Sequence, residues 1–539
     1  MKRRTKAILA AVLSAALLAA SALAFTACGE EDGFARVYEM TDWSANYMTA
    51  TEVTALRGME VGSGFYDMVI VSEENADGDT MYGVYSLRTG EYVLALDEGS
   101  ISVNNGIFTR TVPSSLIGGP ATYRCYARGT QIASMSSDDG MPNITRLARD
   151  LVRVSVGDAA YYADPYTGSV TRVDDGLTAT ASSADYATDD LLVSYGSGSS
   201  SVYANIYDKS TGSMIRRMYV DTAGGSESTF VLGNGNIAVQ VTYLLPSGAA
   251  EYDYIDDGEP RALKTYIMEI GSGNVRECDA DFIIGMVDNA ILYRTTIYGL
   301  YDEVYETDNV AVVWEITGSG YMTAAKSVFM SNSLGIERDL SELSPDIGTN
   351  GYGVALIAPD RIAVNDDTIV NGKGEILASD VTFAGISYFY KRSGNTCTVY
   401  SVETLSMVCR LGLSEDENIY VYSYGDSILV VSREGNDTTF SVYDGADGSS
   451  GVSVDVDRID TTYFMMYGVF FIEDENGYAI CSVDTSDTNG YRRVLTASDS
   501  IGLAFSFSST GELINDRLLA VCYDGTDSTY HILSGGEDR

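Results

Sequence analysis

From about residue 50 onward, apolar and polar residues alternate in short runs, and turns rich in Asp, Ser, Thr, Asn and Gly separate the runs. A period of two sends successive side chains to opposite faces of a strand. Two such runs on either side of a short Gly turn predict a hairpin. The clearest copies are residues 82–91, 162–169 and 205–213. In each, an Asp or Ser is followed three positions later by Thr and then Gly: Ser86 to Gly90, Asp164 to Gly168 and Asp208 to Gly212. Taking the turn residue as a marker, copies fall at Gly90, Gly129, Gly168, Gly212, Gly273, Gly335, Gly374, Leu405, Gly448, Gly490 and near Gly535.

The spacing predicts an all-β protein built from four-stranded units of about 42 residues, the size of one β-propeller blade. Such a unit cannot bury both flat faces alone, so neighbours must stack and close. About eleven units exceed the four to eight of a common single propeller, which predicts two propellers in tandem, residues 56–310 and 311–539. The strand-Asp/Ser-x-x-Thr-Gly-strand segments at residues 82–93, 162–171 and 205–216 resemble the outer hairpin of PQQ-like and WD40-like propeller repeats. These copies lack the docking Trp of the first family and the His and Trp-Asp pair of the second. The resemblance therefore implies a fold and brings no cofactor or function with it.

The N-terminus has a different pattern. Lys2, Arg3, Arg4 and Lys6 precede an apolar run over residues 7–24, which closes on Phe25, Thr26, Ala27, Cys28 and Gly29. A basic flank followed by an apolar segment is an export signal. Its end resembles the bacterial lipoprotein signal, which is cut before a lipidated cysteine, with Phe25 standing where that family usually has Leu. The resemblance implies a signal over residues 1–27, lipidation of Cys28, and a location on the extracytoplasmic side of a bacterial cell membrane. Residues 28–55 are expected to form a membrane-proximal linker that can also supply a closing strand to the last unit.

Composition supports the strand reading. Hydrophobic residues make up 45% of the chain, and 39 Tyr outnumber 15 Phe and two Trp. With 54 Gly and eight Pro, this favours strands and tight turns. The net charge is −42, and the signal contains basic residues and no acid, so the exported part is more acidic still. Such a surface argues against nucleic acid and anionic lipid as partners.

Candidate chemistry is sparse. His531 is the only histidine, which leaves little for a catalytic triad and excludes a histidine-rich metal site. There is no Gly-x-Ser-x-Gly elbow and no phosphate loop ending in Gly-Lys-Ser/Thr. No Cys-x-x-Cys pair occurs. Export permits disulfides, and Cys397 with Cys409, flanking one turn, is the expected pair. Calcium is the one cofactor left open, through acidic turns such as residues 75–79, although none has the full calcium-loop order. The segment 136–140 looks like the start of a sialidase Asp-box turn but lacks its Trp.

Two insertions, residues 246–260 and 298–306, bring Tyr252, Tyr254, Tyr298, Tyr301 and Tyr305 to loops suited to ligand contact. The sequence thus favours a binding or scaffold module for an envelope protein, peptide or glycan. A polysaccharide-processing enzyme with paired carboxylates, or a sensor or assembly subunit, is the alternative.

Overall fold

The computed structural model describes residues 48–535, apart from 117–118, 174–180, 223–224, 233–234, 250–253, 257–258, 279–282, 289–294, 301–308, 317–321, 332–334, 341–353, 413–416, 485–486, 505–516 and the single positions 366, 386, 436, 447, 450 and 526. The signal, Cys28, Tyr252, Tyr301 and Tyr305 lie outside the described residues.

The turn motif explains why the chain breaks into hairpins where it does. The Asp164 carboxylate accepts the N–H of Tyr166 at 2.8 Å, the N–H of Thr167 at 3.2 Å and the Thr167 hydroxyl at 2.6 Å. The Gly168 N–H closes the turn on the Asp164 carbonyl at 2.9 Å. Asp208 repeats the arrangement with Thr211 and Gly212. Every marker from Gly90 to Gly490, including Leu405 at φ 56°, has left-handed backbone, and each joins the last two strands of its unit.

The same glycine also lets one sheet seat on the one before. A Cβ at Gly212, in the fourth sheet, would lie 2.3–2.6 Å from the hydroxyl oxygen and two ring carbons of Tyr162 in the third. At Gly448 it would lie 2.1 Å from the Val408 carbonyl oxygen. The marker is thus both a backbone requirement and a contact surface between sheets.

The described strands form ten sheets, antiparallel apart from one bridge, and eight of them are four-stranded. In chain order they cover residues 60–97, 100–136, 143–173, 186–221, 225–278, 283–378, 382–412, 418–456, 458–497 and 500–534. The fifth has five strands. The sixth has nine, because two units are joined by a single parallel bridge between Asp288 and Leu356. The only α-helix among the described residues is the turn Phe464–Tyr467. The boundary expected between residues 310 and 311 falls inside the strand Asn309–Ile316, which pairs with Ile283–Asp288 on one side and Met322–Ser331 on the other.

Apolar side chains bind successive sheets. Ile107 and Cys125 of the second sheet pack with Val152 and Val154 of the third, and Tyr207 of the fourth packs with Ala160 and Tyr162 of the third. The largest cluster joins the eighth, ninth and tenth sheets to Val69, Val71 and Tyr85 of the first. The two ends of the described chain therefore meet.

The short strand Thr49–Glu52 makes that closure. It is the outermost strand of the tenth sheet, with Thr49 opposite Ser534 and Glu52 opposite His531. Buried Met48, Val53 and Leu56 fix it in the large cluster. Arg492 donates to the Met48 carbonyl.

The disulfide expected between Cys397 and Cys409 is not formed, and both are buried free thiols. Cys409 lies opposite Val399 and Cys397 opposite Leu411, beside a register shift at Val399/Tyr400. The two cysteines are diagonal neighbours on one face and are not directly opposite each other. Burial pushes the Cys397 thiol up to about 12 and the Cys409 thiol up to about 11.

Candidate functional site

The sites singled out in the sequence are dispersed. Tyr254 lies in the short strand Tyr254–Asp256, paired with the start of Glu259–Glu269. Tyr298 lies in Thr295–Leu300, a strand along Ile283–Asp288. The second insertion therefore begins as paired strand where a loop was expected. The acidic turn at 75–79 is capped by its own Asn75, whose side chain accepts the N–H groups of Asp77 and Asp79 at 2.9 Å each. Residues 136–140 form a short 3-10 turn, Ser137–Asp139, with the Ser136 hydroxyl accepting from the Asp138 N–H. Among the described residues, no group of three or more His, Cys, Asp or Glu is arranged to hold a metal ion. Among the same residues, no helix is long and apolar enough to cross a membrane.

The candidate site is a cleft that sequence reasoning missed. It lies where the eighth and ninth sheets meet and has a volume of about 1050 Å³. Three chain segments build it. The turn between Ser427–Glu434 and Asp437–Asp444 brings Glu434 and Asp437, the crossing from Val454–Val456 to Arg458–Asp460 brings Asp455 and Asp457, and the turn after Val469–Asp474 brings Asp474 and Glu475. Glu417 completes the acidic lining, with Ser432, Thr438, Thr439 and Ser453 as hydroxyl donors among it.

Seven carboxylates around one cleft produce a concentrated negative potential, because low-dielectric walls focus the field. Arg493 forms a salt bridge with Asp474 and offsets one of them. Burial alone would raise the Asp474 pKa, but the hydrogen bond from Arg493 and the Asn476 N–H at 2.8 Å outweigh it, and Asp474 stays below the usual carboxylate range. The Ser432 hydroxyl donates to Glu417. Chemically, the cleft offers hydrogen-bond acceptors and negative charge to a cationic group.

The sequence signal was present but scattered over residues 417 to 475. Each acid reads as an ordinary solvated turn residue. Only the stacking of two consecutive meanders brings their turns to the same end.

No protein-family model matches this chain, and no curated protein matches its sequence. Its fold is similar to solved structures at low identity. One is the β-propeller domain of the Trilobed protease from Pyrococcus furiosus, at 9% identity, covering 74% of this chain and 97% of that one, with a TM-score of 0.20. Another is dipeptidyl peptidase 4 of Porphyromonas gingivalis, at 8% identity, covering 83% and 60%, with a TM-score of 0.21. A third is a eukaryotic initiation factor, at 9% identity, covering 80% and 96%, with a TM-score of 0.21. At these scores the likeness carries no residue or activity over to this chain.

Proposed function

We propose that this chain is an extracytoplasmic binding module, tethered to a bacterial membrane through Cys28, which captures a basic segment of an envelope protein or peptide in its acidic cleft. The observation that carries the reading is the cleft itself: seven carboxylates converge on one concave site between two rigid sheets. A lysine- or arginine-rich peptide is the ligand class whose charge and hydrogen-bond donors match that lining.

The test is calorimetric titration of the full chain with a short oligo-lysine peptide and an oligo-glutamate control. Saturable binding of the basic peptide alone is expected, weakening as salt is added. The combined change Asp455→Asn, Asp457→Asn and Glu475→Gln should weaken it by about tenfold or more. If the basic peptide gives no saturable heat, the cleft is not its site. Tethering is tested separately by labelling with radioactive palmitate, which Cys28→Ser should abolish.

We also infer that the sheets close as one propeller-like ring and not as two rings in tandem. The shared cluster between the first sheet and the last three supports this reading, as does the strand at residue 310.

A further inference from the structure

The cleft has a floor as well as an acidic rim. In the eighth sheet, Thr438 stands opposite Val456 and Phe440 opposite Val454, and residues opposite each other in a ladder share a face. Thr438 and Phe440 are two positions apart on one strand, so their side chains point the same way. The Phe440 ring meets Phe470 at 5.2 Å and Tyr491 at 5.0 Å, both in the ninth sheet. Thr438, Val454 and Val456 therefore face the ninth sheet, whose turn brings Asp474 and Glu475, and all of these line the cleft.

Elsewhere in the lining, Glu417 accepts from Ser432, and Asp474 accepts from Arg493 and from the Asn476 N–H. Thr438 differs. It is 8% exposed, and among the described residues its hydroxyl has no hydrogen-bond partner. Buried polar side chains are paired in the large majority of cases, and a hydroxyl left unpaired gains from any bound group that completes it.

We propose that the cleft selects lysine over arginine, with one lysine side chain of the ligand laid along Val454 and Val456 and its ammonium donating to the Thr438 hydroxyl. The proposal rests on the basic-peptide reading above and narrows it to one residue type. An ammonium is compact and carries three donors, and the threonine oxygen has lone pairs free to accept one of them. Rim carboxylates such as Asp457 and Glu475 are available to the other two. A guanidinium holds its donors in a rigid planar fork that matches a carboxylate or a phosphate. A single hydroxyl between two valines does not supply that geometry. The lysine stem is apolar, and buried Val456 with partly buried Val454 gives it an apolar wall. The rim attracts either cation, and the floor distinguishes them.

The full chain is titrated calorimetrically with three short peptides of equal length and charge: oligo-lysine, oligo-arginine and an oligo-lysine trimethylated at every side-chain nitrogen. The trimethylated peptide keeps its charge and has no side-chain N–H to donate. Oligo-lysine should bind about tenfold more tightly than the trimethylated peptide, and more tightly than oligo-arginine. Thr438→Val keeps the shape of the side chain and removes the hydroxyl. It should weaken oligo-lysine about tenfold and leave the other two peptides within about twofold of their parent values. Thr438→Ser, which keeps the hydroxyl, should retain the lysine preference. Equal binding of the lysine and trimethylated peptides by the parent chain overturns the proposal without recourse to any variant, as does a Thr438→Val loss shared by all three. Saturable binding without a lysine preference strikes this inference alone. Absence of saturable binding by all three peptides strikes the basic-peptide reading, and this inference with it.

Discussion

Gly212 has left-handed backbone and lies against the Tyr162 ring of the preceding sheet. Gly212→Ala meets both constraints and should cost about 2 kcal/mol or more of stability, read as a lower thermal midpoint. Asp67 shows a second kind of dependence at this scale. Burial opposes its charge, but Arg128 and Ser86 more than compensate, and its pKa is lowered. The stability it contributes is therefore present above about pH 4 and lost as pH falls through the lowered native value. Arg128→Met would strand a buried carboxylate and should cost about 3–5 kcal/mol at neutral pH in a denaturant titration. The buried thiols should be unreactive toward a disulfide reagent in the folded chain and titrate fully after unfolding. The marker glycines were legible because a turn acts locally. The pairing of Asp67 with Arg128 was not, since 61 positions separate them and nothing in either neighbourhood names the other.

Among the elements, the closing strand is the most exposed to a change of conditions. His531 stands across from Glu52 in its ladder. Burial lowers the histidine pKa, while Glu52 and Asp524 pull it back upward without cancelling the effect. A histidine lowered on folding destabilises the native state once pH drops below its unfolded value of about 6.5. The seam should therefore loosen as pH falls below about 6.5 towards the lowered native value, seen as faster amide exchange in residues 49–52, and His531→Gln should flatten that dependence. The meanders themselves were readable from the period-two pattern, and residues 28–55 did yield a closing strand. Two features were not readable. The ladder sets Cys397 opposite Leu411 and Cys409 opposite Val399, a register that the symmetry of two cysteines about a turn does not reveal. Tyr298 reads as loop because its partner strand, Ile283–Asp288, is recognised only by pairing.

Over the whole molecule, net charge hides an uneven distribution. A total of −42 suggests a uniformly repulsive surface, yet seven of the carboxylates gather around one cleft at one end of two sheets. Composition could not show this, because it does not say which turns the stacked meanders bring together. The one-ring reading makes its own prediction. Residues 56–310 and 311–539, produced separately, should each fail to show a cooperative unfolding transition, since each has lost a sheet-to-sheet contact of the large cluster. Two independent transitions would restore the tandem arrangement.

The closing strand also ties folding to the order in which the chain is made. Residue 49 emerges long before its partner, Ser534. At about 5–20 residues per second that interval is roughly half a minute to a minute and a half. Throughout it, Met48, Val53 and Leu56 lack the surroundings that bury them, and the first sheet lacks its neighbour. A chain cut short before the strand Asp527–Ser534 leaves that apolar surface and an unpaired strand edge open to proteases and to aggregation. Pairing of these two strands thus acts as a check that synthesis has passed Ser534.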